Sequence, residues 1–261
     1  MNKLSLFRKI EELRQKSIPV ALVTVVKTQG SVPREVGAKM IVQVDGKIHG
    51  TIGGSTVESL VIKEAEEVIK SGRAKIVTHD LFDEKKEDTG MVCGGTMTFF
   101  IDPIDVLNRV YIFGGGHVGL QVAFFTKKVG FEYVVIDDRA EFASRERFPD
   151  ALNVIIDDPG TIAEKLEVTD NDYVVIVTRG HNDDYNVLRG VIGKPARYIG
   201  MISSQTKRDQ IFNKLRAENG VSDDMLNNVH SPIGIAIGAE TPEEIAVSIV
   251  AELIKVRRNI L

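Results

Sequence analysis

The chain has 261 residues, 43% of them hydrophobic and 27% charged, which is the balance of a globular protein with apolar surface for one large core or two modest ones. Lys and Arg number 33 against 37 Asp and Glu, and the resulting charge of −4 argues against a chain-wide electrostatic grip on nucleic acid. A single cysteine, Cys93, excludes an intrachain disulfide framework, a CxxC redox pair, a cysteine-ligated iron–sulfur cluster and a zinc knuckle.

The first predicted element is a helix over 4–16, with Leu6, Ile10 and Leu13 at helical spacing between charged residues. Charge throughout this stretch leaves no apolar core for a secretion signal, no later run is long enough to span a bilayer, and the expected location is cytoplasmic. VALVTVV (20–26) reads as a buried strand, KMIVQV (39–44) as a second, and Asp45-Gly46 as the hairpin turn into KIHGTI. A helix follows from Thr56 to Lys70 and stops at Ser71-Gly72, where glycine can take the left-handed conformation. KIVTHDL (75–81) is a further strand, and FDEKKEDTG (82–90) an exposed loop. A new pattern begins after Asp102-Pro103-Ile104-Asp105: strand 110–113, the loop GGGHVG, a helix through Lys128 and strand 133–137. Strands at 153–156, 173–178 and 197–202, with helices between and after, imply a parallel sheet covered on both faces. The predicted architecture is α/β: a small α+β domain over 1–104, then a Rossmann-like, doubly wound parallel-sheet domain over 105–261.

Gly114, Gly116 and Gly119 follow a strand and open a helix, and Asp137 closes the next strand. This is the dinucleotide fingerprint, in which the first glycine makes the turn, the second admits a pyrophosphate and the third lets helix and strand pack closely. Asp137 can accept hydrogen bonds from ribose hydroxyls and would repel a 2′-phosphate, a preference that Arg139 complicates. His117, inside the loop, either contacts phosphate as a cation or caps the loop. TRGHNDD (178–184) lies at the carboxyl end of a strand, where ligands bind in such sheets. His181, Asp183 and Asp184 have either an acid–base or metal constellation or loop and cap roles open to them. Asp184 reads as a helix cap and His181 as the candidate acid–base group.

In the first domain three loops are rich in glycine: 30–40, 50–58 and 93–97. Their amides, including those of Gly53, Gly54, Gly94 and Gly95, suit an anionic or flat ligand, and Arg34 adds a permanent cation. Ser55-x-x-Glu58 has the form of a capping box, so Glu58 has a helix-end role as well as a ligand role open to it. Cys93 is either a buried small hydrophobe or a reactive thiol flanked by glycines. Thr241-Pro242-Glu243-Glu244 starts a well-capped C-terminal helix with Ile245, Ile249 and Leu253 on one face.

GSVPREVGAKM, GTIGGSTVE, CGGT, FGGGHVG…VIDDR, TRGHNDDY, YIGMISS and SPIGIAIGAETPEEIAVSIVAELI together resemble the xanthine dehydrogenase accessory family, XdhC/CoxI, over nearly the whole chain. The resemblance implies a factor that binds molybdenum cofactor (molybdopterin), protects it while its sulfido ligand is installed, and helps insert it into a molybdenum hydroxylase. It places Arg34, Gly53, Gly54, Glu58 and Cys93 on motif positions of the first domain, and Gly114, Gly116, Gly119, Asp137, Arg139 and His181 on those of the second. Ser55 departs from the pattern, since the family often carries glycine or cysteine there, so any sulfur handling falls on Cys93. The expected partners are a xanthine dehydrogenase-type hydroxylase and a cysteine desulfurase, with no nucleic acid, no resident metal and homodimerisation as the default. One cysteine cannot ligate an iron–sulfur cluster, which sets the chain apart from the hydroxylase itself. The alternatives are an NAD(P)-dependent oxidoreductase using His181 and a nucleotide-sensing interaction protein.

Overall fold

The computed structural model describes residues 3–81, 94–218 and 220–259. The chain divides into two compact units, Met1–Leu107 and Asn108–Leu261. No helix among the described residues is long and apolar enough to cross a membrane.

Unit 1 contains α1 (Lys3–Gln15), β1 (Val20–Gly30), β2 (Lys39–Gln43), β3 (Ile48–Gly50), α2 (Ser55–Ser71), β4 (Lys75–Asp80) and β5 (Gly95–Ile104). Its sheet is antiparallel in the order β3-β2-β1-β5-β4. Strand alternation sends Ala21, Val23 and Val25 of β1 towards the α2 side, where Val57, Val61, Ala65 and Val68 form the helix stripe. Val20 faces the other side, against Leu6, Ile10 and Leu13 of α1. β1 runs past the predicted end at Val26, because after an irregularity between Val25 and Lys27 it goes on pairing with β5 as far as Gly30↔Gly95. β5 itself is a strand that the local turn and periodicity signals do not mark. The predicted stop of α2 is present, with Gly72 at φ 65°.

Unit 2 contains β6 (Arg109–Phe113), α3 (His117–Lys128), β7 (Glu132–Asp137), β8 (Asn153–Ile156), α4 (Pro159–Lys165) and β9 (Asp172–Ile176). It continues with α5 (His181–Val191), β10 (Tyr198–Met201), α6 (Gln205–Arg216), α7 (Asp223–Asn227), β11 (Val229–His230) and α8 (Pro242–Arg257). The six strands are parallel in the order β11-β10-β9-β6-β7-β8, a doubly wound sheet whose direction of winding reverses between β6 and β9. Tyr111, Phe113, Val134 and Ile136 point into the core beneath α4, α5 and α6, while Val110, Ile112, Tyr133 and Val135 point into the core beneath α3 and α8. α8 carries the predicted capping box, with Thr241 and Glu244 exchanging backbone and side-chain hydrogen bonds. Ile249 and Leu253 of its stripe are buried.

Candidate functional site

In unit 1 the three glycine-rich loops meet. The Ser31 amide donates to the Gly94 carbonyl at 3.3 Å, and a Cβ on Gly95 would lie 2.6 Å from the Gln29 oxygen and 2.7 Å from that of Ser31. A Cβ on Gly53 would lie 2.7 Å from Cγ of Pro33. Packing therefore demands glycine at 53 and 95, whereas Gly54, at φ +78°, has open space on its Cβ side. Arg34 is exposed beside Pro33 and makes no hydrogen bond or ion pair among the described residues. Cys93 lies outside the described residues.

Glu58 corrects the predicted box by one position. The N-cap of α2 is Gly54, not Ser55. Oε1 of Glu58 accepts from the amides of Ile52, Gly53 and Gly54 at 3.0, 3.3 and 2.8 Å, and from the hydroxyl of Thr51. Its carboxylate thus fills a concave turn of successive amides, the local chemistry of an anion nest. Burial opposes the charge, but the Thr51 hydroxyl and the three amides hold the carboxyl below its usual range.

In unit 2 the first and third glycines of the loop have the predicted steric roles. Gly114 is at φ +112°, with the Val177 oxygen 2.3 Å from where a Cβ would sit. Gly116 caps α3 without a side chain and faces open space, and a Cβ on Gly119 would lie 1.9 Å from the Gly114 oxygen. The fingerprint does not single out Gly115, yet a Cβ there would lie 2.1 Å from the Phe142 oxygen. Its place in the middle of three consecutive glycines is its only sequence signal.

Asp137 closes β7 beside this loop, buried, and its carboxylate is already engaged. Oδ2 accepts from the Gly115 amide at 2.9 Å and from Nη2 of Arg139 at 3.0 Å; Oδ1 accepts from Nε and the amide of Arg139 at 2.9 and 3.1 Å. Burial opposes its charge, but these donors outweigh that and keep the carboxyl below its usual range. The Arg139 guanidinium lies 3.8 Å from the Phe142 ring centroid. Arg147 lies 5.5 Å from the same centroid and donates to the Gly115 oxygen at 3.1 Å.

His117 and His181 are exposed and begin α3 and α5, the helices that follow β6 and β9 at the carboxyl edge of the sheet. Neither makes a hydrogen bond or ion pair among the described residues. Asp184 is not the cap of α5; that position belongs to Gly180, with no side-chain bond. Asp184 is instead fully buried, accepts from the Thr178 hydroxyl at 2.5 Å and is paired with Lys207 of α6. Burial raises its carboxyl above the usual range despite those partners.

Sequence patterns also missed a cluster on α8. Glu252 accepts from the Tyr198 hydroxyl at 2.5 Å and the Gly234 amide at 2.8 Å, and is hydrogen-bonded to His230 at 2.9 Å. The available signal was polar Ser248 and Glu252 lying on a stripe otherwise made of Ile245, Ile249 and Leu253. Glu252 and Ser248, which donates to the Ile235 oxygen, tie the loop that leads into α8 down to the helix.

The fold and these loops define an α/β protein with an antiparallel glycine-loop unit and a doubly wound, Rossmann-like unit. A family model described as the XdhC Rossmann domain matches residues 110–253, and one described as the XdhC and CoxI family matches 13–80. The chain belongs to the XdhC family. It is 32% identical over 257 residues to the uncharacterized protein YqeB of Escherichia coli strain K12, covering 98% of this chain and 47% of that one. The chain therefore spans about half the length of that relative. It is 25% identical to the molybdenum cofactor insertion chaperone PaoD of the same strain, over 90% of this chain and 83% of that one. A crystal structure described as a xanthine dehydrogenase from Bacillus halodurans has the same fold, at TM-score 0.53 and 24% identity over 97% of this chain and 96% of that one.

Proposed function

We propose that this protein is an accessory factor that binds molybdenum cofactor, shelters it while its sulfido ligand is installed, and passes it to a xanthine dehydrogenase-type hydroxylase. One observation carries the reading: the glycine-rich loops around Gly30, Gly53 and Gly94 meet in unit 1, with Arg34 exposed and unpaired among the described residues. Arg34 is the donor we assign to the pterin phosphate, because the amides of Ile52, Gly53 and Gly54 are taken by Glu58. The kinship with a cofactor insertion chaperone supports the same reading. Cys93, next to Gly94 in the chain, is the residue we assign to contact with molybdenum or to transient sulfur carriage. A cysteine desulfurase as sulfur source, a cytoplasmic setting and a homodimer complete the proposal.

The test is retention and transfer. Purified protein mixed with molybdenum cofactor is expected to hold molybdenum and pterin through gel filtration and to activate apo-hydroxylase. Arg34→Ala is expected to weaken retention about tenfold, the worth of roughly one charge-assisted contact. Cys93→Ala is expected to retain cofactor but deliver it in a form that needs added sulfide for activity. Failure of the unmodified chain to retain cofactor overturns the reading.

A second reading concerns the Rossmann unit, where Gly114, Gly116 and Gly119 have the geometry that admits a pyrophosphate at the start of α3. We propose a nucleotide ligand there, either sensed or, with His181 as acid–base group, used in hydride transfer.

A further inference from the structure

A carboxylate offers about four lone-pair directions, and in Asp137 four donors use them: the amides of Gly115 and Arg139, and Nε and Nη2 of Arg139. A ribose diol could reach Asp137 only by displacing the arginine fork, exchanging an ion pair for bonds from neutral hydroxyls in a buried place. The acid that would ordinarily recognise an unmodified ribose is closed from within.

The arginine itself still has donors to offer. Nη1 of Arg139 makes no hydrogen bond among the described residues, and stacking on Phe142 together with the two bonds to Asp137 holds the guanidinium plane in place. Of the acids nearby, Asp138 lies 3.8 Å from Nε of Arg139 but is bound more closely by Arg179 at 2.8 Å, Asp183 lies 3.7 Å from Arg179, and Glu141 is exposed. Arg147 has no carboxylate partner among the described residues, and its Nε is buried without a hydrogen bond. The end of β7 therefore holds one arginine with free donors and a second cation with no counter-ion, both against Phe142 and next to the glycine loop.

Resting on the nucleotide reading of this unit, we infer that Arg139 recognises the ligand, and that the crevice takes a dinucleotide bearing a 2′-phosphate on its ribose in preference to one with a free diol. Asp137 positions Arg139 and the Gly115 amide and does not meet the ligand.

The experiment is a titration of the full chain with NADPH and with NADH, followed by nicotinamide fluorescence, with 2′-AMP and 5′-AMP as competitors. NADPH is expected to bind at least tenfold more tightly than NADH, and 2′-AMP to compete at concentrations where 5′-AMP does not. Arg139→Ala removes the fork and frees Asp137, so the preference should fall at least tenfold, with NADH gaining affinity. Arg139→Lys keeps the charge without the fork and should fall between; it stands in if the alanine variant fails to fold. Equal or tighter binding of NADH by the unmodified chain overturns the inference and leaves the nucleotide reading intact. Binding of neither dinucleotide overturns both. An unchanged preference in a folded Arg139 variant removes the role from that residue.

Discussion

Gly115 and Gly116 are neighbours in sequence and opposites in consequence. A methyl group on Gly115 would meet the backbone oxygen of Phe142 at 2.1 Å, and backbone cannot swing aside as a flexible side chain can. On Gly116 the same methyl group meets nothing within 4 Å. Gly115→Ala is therefore expected to lose about 1–3 kcal/mol of stability in urea unfolding, and Gly116→Ala to stay within about 0.5 kcal/mol. Equal costs for the two would refute this account of the loop. The roles of Gly114, Gly116 and Gly119 were legible because motif spacing encodes a local turn and a helix start. That of Gly115 was not, because the oxygen it must avoid belongs to a loop beyond β7. Glu58 shows the same limit on a smaller scale: the helix-end carboxylate was readable, but the true cap is one residue earlier, where Gly54 adopts a positive φ.

Between elements, the buried pair of Asp184 on α5 and Lys207 on α6 joins two helices that begin at the carboxyl edge of the sheet. Burial already raises the Asp184 carboxyl, and removing Lys207 would raise it further. A carboxyl raised on folding binds protons more tightly in the native state, so stability falls as pH climbs from the ordinary carboxylate range through the native value. Lys207→Met should therefore cost about 3 kcal/mol at pH 8, and clearly less at pH 5, where a lone buried carboxyl takes up a proton more readily. Urea midpoints at the two pH values measure this; a cost independent of pH would mean that Asp184 does not carry the charge. From sequence, Asp184 reads as a cap because helix-start aspartates usually are caps. Gly180 takes that place, and the partner that buries Asp184 comes from the next βα unit. The α8 cluster evaded sequence for a similar reason: Tyr198, His230 and Glu252 lie on three separate elements.

At the scale of the molecule, both hydrophobic cores of the Rossmann unit consist of residues from Asn108 onward, and among the described residues its sheet has no strand from the first unit. A chain beginning at Asn108 is expected to fold by itself, with an α/β circular dichroism spectrum and a single cooperative urea transition. A broad, non-cooperative transition would show that this unit depends on residues before it.

The doubly wound unit was legible because each βα step is local: an apolar strand, a glycine turn and an amphipathic helix adjoin in sequence, and handedness rules leave few ways to assemble them. The first unit was less so, since β5 gains its strand character by pairing with β1 and β4 across long connections. Sequence by itself determined the family motifs, the glycine turns and their place at the carboxyl edge of the sheet. Only the tertiary structure decided which polar groups remain free there. A buried carboxylate must find donors, and Asp137, Asp184 and Glu252 find theirs among groups that the fold brings to them, leaving Arg34, His117 and His181 exposed and unpaired among the described residues.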